Sequence, residues 1–427
     1  MRGKNDIISS MAPKKEEAKE KKPQASNFFT KEELENVSGD VSIIRLVDSL
    51  VEYALKERAS DIHIDPEDKR LRVRLRIDGD LQDALSLPFE IHSEVITRIK
   101  VLSGLKTDEH NAAQDGRFKA ATDLGDVDVR VSIVPTYYGE NAVMRVLGEQ
   151  GRGVGLEQIG YSAGDMEKIR RAIAKPYGMI LATGPTGSGK TTSLYAVLEI
   201  LNKPETSIVT IEDPIEYAVA GIRQIQTNAD TGLTFSTGLR SILRQDPNIV
   251  MVGEIRDEET AGIAVNAALT GHLLLSTLHT NDAATTLPRL LDMGVEPFLI
   301  SSTVNIAIGQ RLVRVLCNAC RVERKLTDIE LKHLAAVSRP EFYQKGKFYQ
   351  KKGCAECGNS GFRGRIGIHE ILEIDDTIRN LIMKRANASE IKEAAVKKGM
   401  TTMLEDGLEK ASRGLTTIEE ILRVTQE

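Results

Sequence analysis

The sequence predicts an α/β protein whose central domain is a mostly parallel β-sheet with helices on both faces. First, an apolar strand-like run, a glycine-rich loop and an apolar helix-like run follow one another between Gly178 and Leu201. Second, further short apolar runs alternate with helical segments as far as Arg314. Third, this region is preceded by segments with strict two-residue periodicity and followed by four paired cysteines. A chain of 427 residues is long enough for two to four domains.

The first 40 residues predict a disordered, charged arm. Apolar side chains are few, and residues 14–22 are a run of lysines and glutamates interrupted by one alanine. Such a segment buries too little apolar surface to offset the entropy that it would lose on ordering. A lysine-rich arm could contact anionic lipid, but the interleaved glutamates favour a solvated linker.

Residues 41–147 predict a small α+β domain, which we expect to be PAS-like. Apolar residues repeat at helical spacing over Val41–Glu57 and Glu90–Leu102. Alternating apolar and polar residues predict half-buried strands over Arg70–Asp78 and Asp126–Val134. The first of these strands has one strongly basic face, formed by Arg70, Arg72, Arg74 and Arg76.

Residues 148–158 are rich in glycine and predict a hinge linker, which leads into the central domain at 159–314. This domain contains the pattern G-x-x-x-x-G-K-[ST] between a predicted strand and a predicted helix, the context that a phosphate-binding loop requires. Its glycines let backbone N–H groups point at phosphate oxygens, while Lys190 reaches the β- and γ-phosphates and Thr191 offers a hydroxyl to Mg²⁺. A plain glycine turn is the alternative, but it does not explain a match at every motif position.

The loop therefore predicts a P-loop core, RecA-like in form, that binds ATP with Mg²⁺. The predicted nucleotide-binding residues are Gly184, Pro185, Thr186, Gly187, Ser188, Gly189, Lys190, Thr191 and Thr192.

Acidic and histidine side chains follow the other predicted strands of this domain. Ligands of open α/β sheets bind at the carboxyl ends of the strands, so these side chains can face the triphosphate and its metal. Glu216 follows one strand, and Glu254 follows another. The usual Walker B pattern has an aspartate directly on such a strand, and this chain has Gly253 and Glu254 instead. His272 and His279 bracket a third strand. They either sense the γ-phosphate or a neighbouring subunit, or have a structural role.

All four cysteines fall in two C-x-x-C pairs, separated by the 33 residues between Cys320 and Cys354. Paired motifs with no cysteine left over predict a tetrahedral Zn²⁺ site with four thiolates. The spacer is longer than in common zinc ribbons, and redox-active dithiols or inert thiols are alternatives. The predicted zinc ligands, within a subdomain at 315–370, are Cys317, Cys320, Cys354 and Cys357.

Residues 371–427 predict a C-terminal helical module. Its helical patterns break at Gly399 and Gly414, and a capping-type pattern at Thr417 precedes the last helix. A basic cluster beside the first cysteine pair either meets an acidic partner or is a solvated face. It consists of Arg311, Arg314, Arg321 and Arg324.

Composition narrows the choice of partners and location. The net charge of −5 and an aromatic content of 4%, with no tryptophan, give no general attraction for nucleic acid. No apolar run approaches the length of a transmembrane helix, and Met1–Ser10 lacks the apolar core of a signal peptide. We therefore expect a cytoplasmic protein that reaches a membrane only through a partner.

Several strings of residues occur in a characteristic order, and together they resemble the secretion ATPases of type II secretion systems and type IV pili. In that family they are the Walker A, Asp, Walker B and His boxes. The strings are GPTGSGKTT at 184–192, TIEDPIEY at 210–217, LRQDP at 243–247 with VGEIRD at 252–257, and TGH at 270–272 with HT at 279–280. Further matches are ASDIH at 59–63, QDGR at 114–117, RVL at 145–147, GFRGR at 361–365 and DGL at 406–408.

The resemblance implies a division of labour at the nucleotide. Lys190 and Thr191 would bind phosphate and Mg²⁺, Glu254 would hold the water shell of the metal, and Glu216 would position the attacking water. It also implies a homohexamer in which the N-terminal domain of a neighbouring chain lends arginines to the site. Arg130 and Arg145 stand at the matching positions, and the alternative for both is a solvated strand face.

The resemblance further implies a role and a place in the cell. Members of this family power pilus or pseudopilus assembly by acting on an inner-membrane platform protein, so the expected location is the cytoplasm, peripheral to the inner face of the cell membrane. In this family the cysteine clip occurs in assembly ATPases and is absent from retraction motors, which favours fibre building.

Two other functions use the same motifs. A hexameric nucleic-acid translocase could share the ATPase core, and the basic strand Arg70–Arg76 is its best support, although an aromatic stacking platform is missing. A regulatory nucleotide-binding module without turnover is less well supported, because Glu212, Glu216 and Glu254 retain the acidic groups that hydrolysis needs.

Overall fold

A computed structural model describes residues 28–37, 41–147, 153–344 and 346–426. The chain divides into two compact units, Met1–Val146 and Leu147–Glu427. Among the described residues, no helix combines the length and the apolar character that crossing a membrane requires.

The first unit is a six-stranded antiparallel sheet with helices on one face. The strand order is β3-β2-β1-β6-β5-β4. Buried apolar side chains of the two longer helices and of alternate strand positions form one core. The elements are α1 (Lys31–Glu35), α2 (Ile43–Lys56), β1 (Ala59–Pro66), β2 (Arg70–Ile77), β3 (Asp80–Pro88), α3 (His92–Ser103), β4 (Gln114–Thr122), β5 (Gly125–Thr136) and β6 (Gly139–Leu147).

The predicted disordered arm differs from the structure over residues 28–37. Helix α1 begins at a capping box on Thr30, and the side chain of Leu34 is fully buried. The backbone N–H of Phe29 donates to Ser49 Oγ of α2 at 2.8 Å. These few apolar residues pack against the core of the first unit. The apolar surface that they bury offsets the conformational entropy that the segment loses on ordering. The rest of the predicted arm, 1–27 and 38–40, lies outside the described residues.

The second unit is built on a seven-stranded sheet that is parallel apart from one edge strand. The strand order is β15-β12-β7-β11-β10-β8-β9. The elements that precede β12 are α4 (Leu156–Ile159), α5 (Ala163–Ile173), β7 (Gly178–Thr183), α6 (Lys190–Leu201), β8 (Ile208–Glu212), β9 (Arg223–Gln226), α7 (Phe235–Ile242), β10 (Ile249–Val252), α8 (Glu258–Leu269), β11 (Leu273–Leu278), α9 (Thr286–Asp292) and α10 (Pro297–Thr303). The remaining elements are β12 (Val304–Leu316), β13 (Val322–Arg324), α11 (Asp328–Val337), β14 (Phe348–Gln350), β15 (Phe362–Glu373), α12 (Asp376–Met383), α13 (Ala388–Lys397), α14 (Met403–Ser412) and α15 (Ile418–Thr425).

Both faces of this sheet are covered, which is why its central strands are continuous apolar runs. Every residue of β7 and β11 is buried. Alternate residues enter different cores, with Met179 and Leu181 on one face and Ile180 and Ala182 on the other. The parallel α/β architecture predicted for this region is thus confirmed.

The linker prediction at 148–158 also differs in part. Residues 148–152 lie outside the described residues, but Leu156 already belongs to α4 and is buried in the core of the second unit. Leu156 and Ile159, three residues apart on this short helix, are both buried by packing, which the glycine content of the segment does not reveal.

Helix α14 covers the outer side of β15, the edge strand of the large sheet. Strand β15 is the last strand, and its outward N–H of His369 donates to Asp406 Oδ2 at 2.7 Å. Lys410 Nζ donates to the carbonyl of Gly367 at 2.8 Å. Both side chains satisfy edge groups that would otherwise be open to pairing with another strand.

Candidate functional site

The phosphate loop joins the carboxyl end of β7 to the start of α6. Gly184, Gly187 and Gly189 have φ values of +149°, +78° and +83°, a region that residues with a Cβ rarely adopt. A Cβ at Gly184 would lie 2.4 Å from the carbonyl oxygen of Gln310, so the loop also needs glycine for close packing on β12. The loop tip at 185–187 is exposed, and its base is buried.

Lys190 is the first residue of α6, and its ammonium group folds over the loop. Nζ donates to the carbonyl oxygens of Gly184 at 2.8 Å and Pro185 at 3.0 Å. Burial lowers the pKa of Lys190 to about 8, against an upward influence of Glu254 and with a further downward one from Arg311. A positive charge held next to a glycine loop and a helix N-terminus is suited to polyphosphate.

Glu254 lies beside the loop and is held from two sides. Strands β10 and β11 run parallel in register, so the residues that follow them meet at the same edge of the sheet. Glu254 Oε2 is 3.1 Å from His279 Nε2, and Oε1 is 2.5 Å from a guanidinium nitrogen of Arg256. Only 8% of Glu254 is exposed. The structure therefore brings together Lys190, Glu254 and His279, as the sequence predicted, and adds Arg256.

Two threonines connect the start of the phosphate loop to the segment that follows β11 and contains His279. Thr183 is the last residue of β7, and its hydroxyl contacts the Thr280 hydroxyl and accepts from the Thr280 backbone N–H at 3.0 Å. Both residues are buried. The sequence does not indicate this pair of hydrogen-bonded threonines, because a threonine at the end of an apolar strand has no distinctive pattern.

The two glutamates at the end of β8 have different environments. Glu212 is 2% exposed and accepts hydrogen bonds from the Tyr195 hydroxyl, from Thr210 Oγ1 at 2.5 Å and from Gln224 Nε2 at 3.2 Å. Burial, followed by the Glu212 carboxylate, raises the pKa of Tyr195. Glu212 is therefore engaged in the core, whereas Glu216 is exposed on the segment that follows.

His272 is not part of this cluster. It precedes β11, while the phosphate loop and His279 follow the carboxyl ends of β7 and β11. Six strand residues separate the two edges, which is about 20 Å. Its Nδ1 is 3.0 Å from the carbonyl oxygen of Ala267. The prediction that His272 senses the γ-phosphate is thus wrong for the loop of its own chain. His272 and the loop lie at opposite ends of the parallel strands.

Arg145 and Arg130 lie in the first unit, on the face of its sheet away from α2 and α3. Arg145 Nε donates to Asp61 Oδ1 at 2.9 Å, although 60% of the arginine side chain is exposed. Burial would raise the pKa of Asp61, but hydrogen bonds from Arg145 and Ser60 lower it overall. Arg130 stands directly opposite Arg117 across β4 and β5. Arg117 therefore lies on the same face of the sheet as Arg130 and joins the candidate residues.

The arginines of β2 are matched by carboxylates. Arg72 makes two hydrogen bonds to Asp83, at 2.5 and 2.8 Å, and Arg74 donates to Asp65 at 2.7 Å. Arg76 is 3.6 Å from Asp61. The sequence showed only the basic residues of this strand, whereas their partners come from β1 and β3. The face is consequently a network of ion pairs and offers little uncompensated charge to a phosphate backbone.

The four cysteines come together although 33 residues separate the pairs. Strands β13 and β14 pair in the spacer and return the chain to its start. All four sulfurs lie within 4.8 Å of one another, with 3.8 Å between Cys317 and Cys354 and 3.7 Å between Cys354 and Cys357. Four thiolates at the usual Zn–S length of a tetrahedral site would be about 3.8 Å apart. The donor set and its spacing therefore fit Zn²⁺.

The basic cluster beside these cysteines is neither a solvated face nor an open surface for an acidic partner. Arg314 Nε donates to Glu420 of α15 at 2.9 Å, and Arg324 is paired with Glu330 at 2.7 Å and with Glu419 at 2.9 Å. The pairs with Glu420 and Glu419 join the cysteine subdomain to the last C-terminal helix. These two carboxylates are 106 and 95 residues away from their arginines in sequence, which is why the pattern of arginines alone did not show them.

The chain was then compared with known proteins. Residues 36–423 match the family model "Type II/IV secretion system protein". The chain is 44% identical to the type IV pilus assembly ATPase PilB of Myxococcus xanthus, over 92% of this chain and 70% of that protein. It is 45% identical to the type II secretion system protein E of Pseudomonas aeruginosa, over 93% of this chain and 78% of that protein.

Among solved structures, the ATPase DotB of Legionella pneumophila has the same fold. Its TM-score is 0.68 with 20% sequence identity, and the match covers 92% of this chain and 98% of the DotB chain. The family model spans nearly all of the described residues, including the phosphate loop and the cysteine cluster. The chain therefore belongs to the type II/IV secretion system protein family.

Proposed function

We propose that this protein hydrolyses ATP to power the assembly of a type IV pilus or a type II secretion pseudopilus. The observation on which the proposal mainly rests is the convergence of Lys190, Glu254 and His279 on one edge of the sheet beside a glycine loop. The similarity to PilB and to type II secretion protein E supports the coupling of this site to fibre assembly or secretion.

Phosphoryl transfer requires few groups, mainly for positioning and for stabilising charge. Loop N–H groups and Lys190 bind the β- and γ-phosphates, and Thr191 provides a hydroxyl for Mg²⁺. The metal, when bound, neutralises charge that develops on the phosphate oxygens. Arg256 and His279 orient the carboxylate of Glu254, which would hold the water shell of the metal. Glu216, on the exposed segment after β8, positions the attacking water.

The active form is a homohexamer in which a neighbouring chain contributes Arg130 and Arg145. The support is their place on one face of the sheet of the first unit, where 60% of the Arg145 side chain is exposed. The first unit is PAS-like, and Zn²⁺ occupies the four-thiolate cluster. His272, far from the loop of its own chain, is available to a neighbouring subunit.

The motor works in the cytoplasm, at the inner face of the cell membrane, where it acts on an inner-membrane platform protein. A nucleic-acid translocase is disfavoured because the β2 arginines are paired with Asp61, Asp65 and Asp83. A nucleotide switch without turnover does not need Glu254 in contact with both His279 and Arg256.

The test is an ATPase assay of the purified protein, alone, with single-stranded DNA, and with the solubilised platform protein that copurifies with it. Stimulation by the platform protein alone is the expected result. Stimulation by DNA would favour the translocase, and absent turnover in a folded hexamer that binds ATP would favour the switch.

A further inference from the structure

Gln310 lies in β12 where that strand passes against the phosphate loop. The residue is fully buried. A Cβ at Gly184 would be 2.4 Å from its carbonyl oxygen, and a Cβ at Gly189 would be 2.9 Å from its side-chain Nε2. Gly184 and Gly189 thus both pack directly against this one residue.

The amide of Gln310 is held by its oxygen. Oε1 accepts from Ser193 Oγ at 2.7 Å and from the Tyr161 hydroxyl at 3.3 Å. Ser193 lies on α6 one turn after Lys190, so this contact ties β12 to the helix that starts at the phosphate loop. Two donors on one oxygen leave the amide nitrogen directed away from them, towards Gly189.

The nitrogen has no acceptor of its own among the described residues, although Nε2 is shielded from solvent. A buried donor without a partner is destabilising, because it loses its hydrogen bonds to water and gains none in the fold. A leucine or methionine of similar size would avoid this cost, so an amide at this position calls for an explanation.

The support behind Gln310 is rigid. His369 is its direct cross-strand neighbour on β15, and the Tyr161 ring stacks on the His369 ring with centroids 3.8 Å apart and planes at 19°. Burial, with a contribution from Lys410, holds the pKa of His369 well below its ordinary value, so the ring is neutral. Tyr161 is therefore fixed by packing, and it fixes the amide in turn.

We propose that Gln310 is a positioning residue for nucleotide binding. Its oxygen anchors the amide to α6 and Tyr161. Its Nε2 is thereby a fixed hydrogen-bond donor next to Gly189, in place when the loop encloses the β- and γ-phosphates. This inference rests on the proposed function, because it assumes that the loop binds ATP. A donor that is oriented before the ligand arrives costs no reorganisation on binding.

The replacement Gln310→Glu separates this role from simple packing. The glutamate is nearly isosteric, but it places a carboxylate oxygen where Nε2 was. A carboxyl group in such a buried site has a raised pKa, so it is a neutral donor at mildly acidic pH and a repelling charge at higher pH. The loss of phosphate binding should therefore be reversible by pH. Because a buried carboxylate also destabilises the fold at higher pH, urea unfolding must show that the variant is fully folded at both pH values.

The experiment measures binding of Mg²⁺ and a non-hydrolysable ATP analogue by calorimetry, at about pH 6 and about pH 8. Each variant is compared with the unmodified protein at the same pH. Gln310→Glu should bind roughly tenfold or more weakly at the higher pH and approach the unmodified protein at the lower pH. Gln350→Glu, an exposed glutamine on β14, is the matched control and should bind like the unmodified protein throughout.

Two further variants keep the test decisive if Gln310→Glu does not fold. Gln310→Met removes both polar atoms, and Tyr161→Phe removes one anchor while leaving the ring to stack on His369. Both should weaken binding at both pH values, Tyr161→Phe by the smaller factor. Unchanged affinity in these variants, or a Gln310→Glu defect of equal size at both pH values, would overturn the inference. Failure of the unmodified protein to bind the analogue would instead overturn the proposed function.

Discussion

Lys190 shows how a single residue depends on its surroundings in the fold. Its ammonium group is 9% exposed and bonded to two loop carbonyls, and burial lowers its pKa to about 8. The low exposure makes the charge effective at short range, because little water screens it. Arg311, a second buried cation, donates to the carbonyl oxygen of Val424 and is not on the loop.

The change Lys190→Ala should leave the fold intact and remove most ATP affinity or turnover. No other cation in the loop can replace the contact with the β- and γ-phosphates. Analogue binding and ATP hydrolysis measure the effect, and Lys203→Ala, an exposed lysine just after α6, is the control. Near-normal hydrolysis by the Lys190 variant would mean that the active site lies elsewhere.

The lowered pKa of Glu420 predicts how the stability of the fold depends on pH. Burial would raise its pKa, but hydrogen bonds from Arg314 and Arg423 lower it to about 2. Because the folded-state pKa is below the unfolded value, the pairing stabilises the fold fully above about pH 4.5 and is lost as the pH falls towards 2. A shift of this size corresponds to on the order of 3 kcal/mol.

Urea unfolding of Glu420→Gln should therefore show a constant loss of stability at neutral pH that narrows below about pH 4.5. Glu419→Gln, whose carboxylate is 65% exposed, should have a much smaller effect. A gap for Glu420→Gln that stays constant down to the lowest accessible pH would contradict the assignment.

At the scale of elements, the cysteine subdomain depends on long-range closure. Strands β13 and β14 are three residues each, too short to be stable alone, and the four sulfurs lie at the spacing expected around one Zn²⁺. The ion pairs of Arg314 with Glu420 and of Arg324 with Glu419 connect the subdomain to α15.

Purified protein should contain about one zinc per chain, and Cys354→Ser should unfold the segment Cys317–Cys357 while sparing nucleotide binding. Structural zinc contributes on the order of 10 kcal/mol to small sites, far more than the short strands supply. Metal analysis and protease sensitivity are the measurements, with Ala355→Ser as a control that keeps all four thiolates. Absence of zinc from protein made with ample metal would rule out the assignment.

At the scale of the whole molecule, the proposed mechanism requires two chains for each site. The phosphate loop lies in one unit, and Arg130 and Arg145 lie in the other. If a neighbour supplies the arginines, ATP binding is coupled to the movement of one chain against the next, which is how a motor could push a membrane partner.

Arg130→Ala and Arg145→Ala should each keep hexamer formation and most ATP binding but lose most hydrolysis. Arginines that stabilise transition-state charge contribute on the order of 10³ to 10⁵ in rate. Arg72→Ala, whose guanidinium is paired with Asp83 on the same sheet, should retain activity.

Mixing Arg130→Ala chains with Lys190→Ala chains should restore partial hydrolysis, because some sites then combine an intact loop with an intact arginine. Subunit exchange can be followed independently with labelled chains. Exchange without any gain over either parent would show that the arginines do not act across the subunit boundary.

The sequence by itself determined the parallel core, the phosphate loop and the cysteine donor set. These features depend on local patterns: apolar runs such as 249–252 form strands of the parallel sheet, and the loop at 184–192 lies between a strand and a helix as its motif requires. Local backbone preference and side-chain periodicity suffice for such predictions.

Only the tertiary structure decided which side chains meet. It separated His272 from His279 by the length of one strand, matched the β2 arginines with carboxylates, and ordered Leu34 by giving it a surface to pack on. It also placed Gln310 under the phosphate loop, although more than 100 residues lie between them in sequence. Charge pairing and burial depend on distances across the fold, and a one-dimensional pattern does not contain those distances.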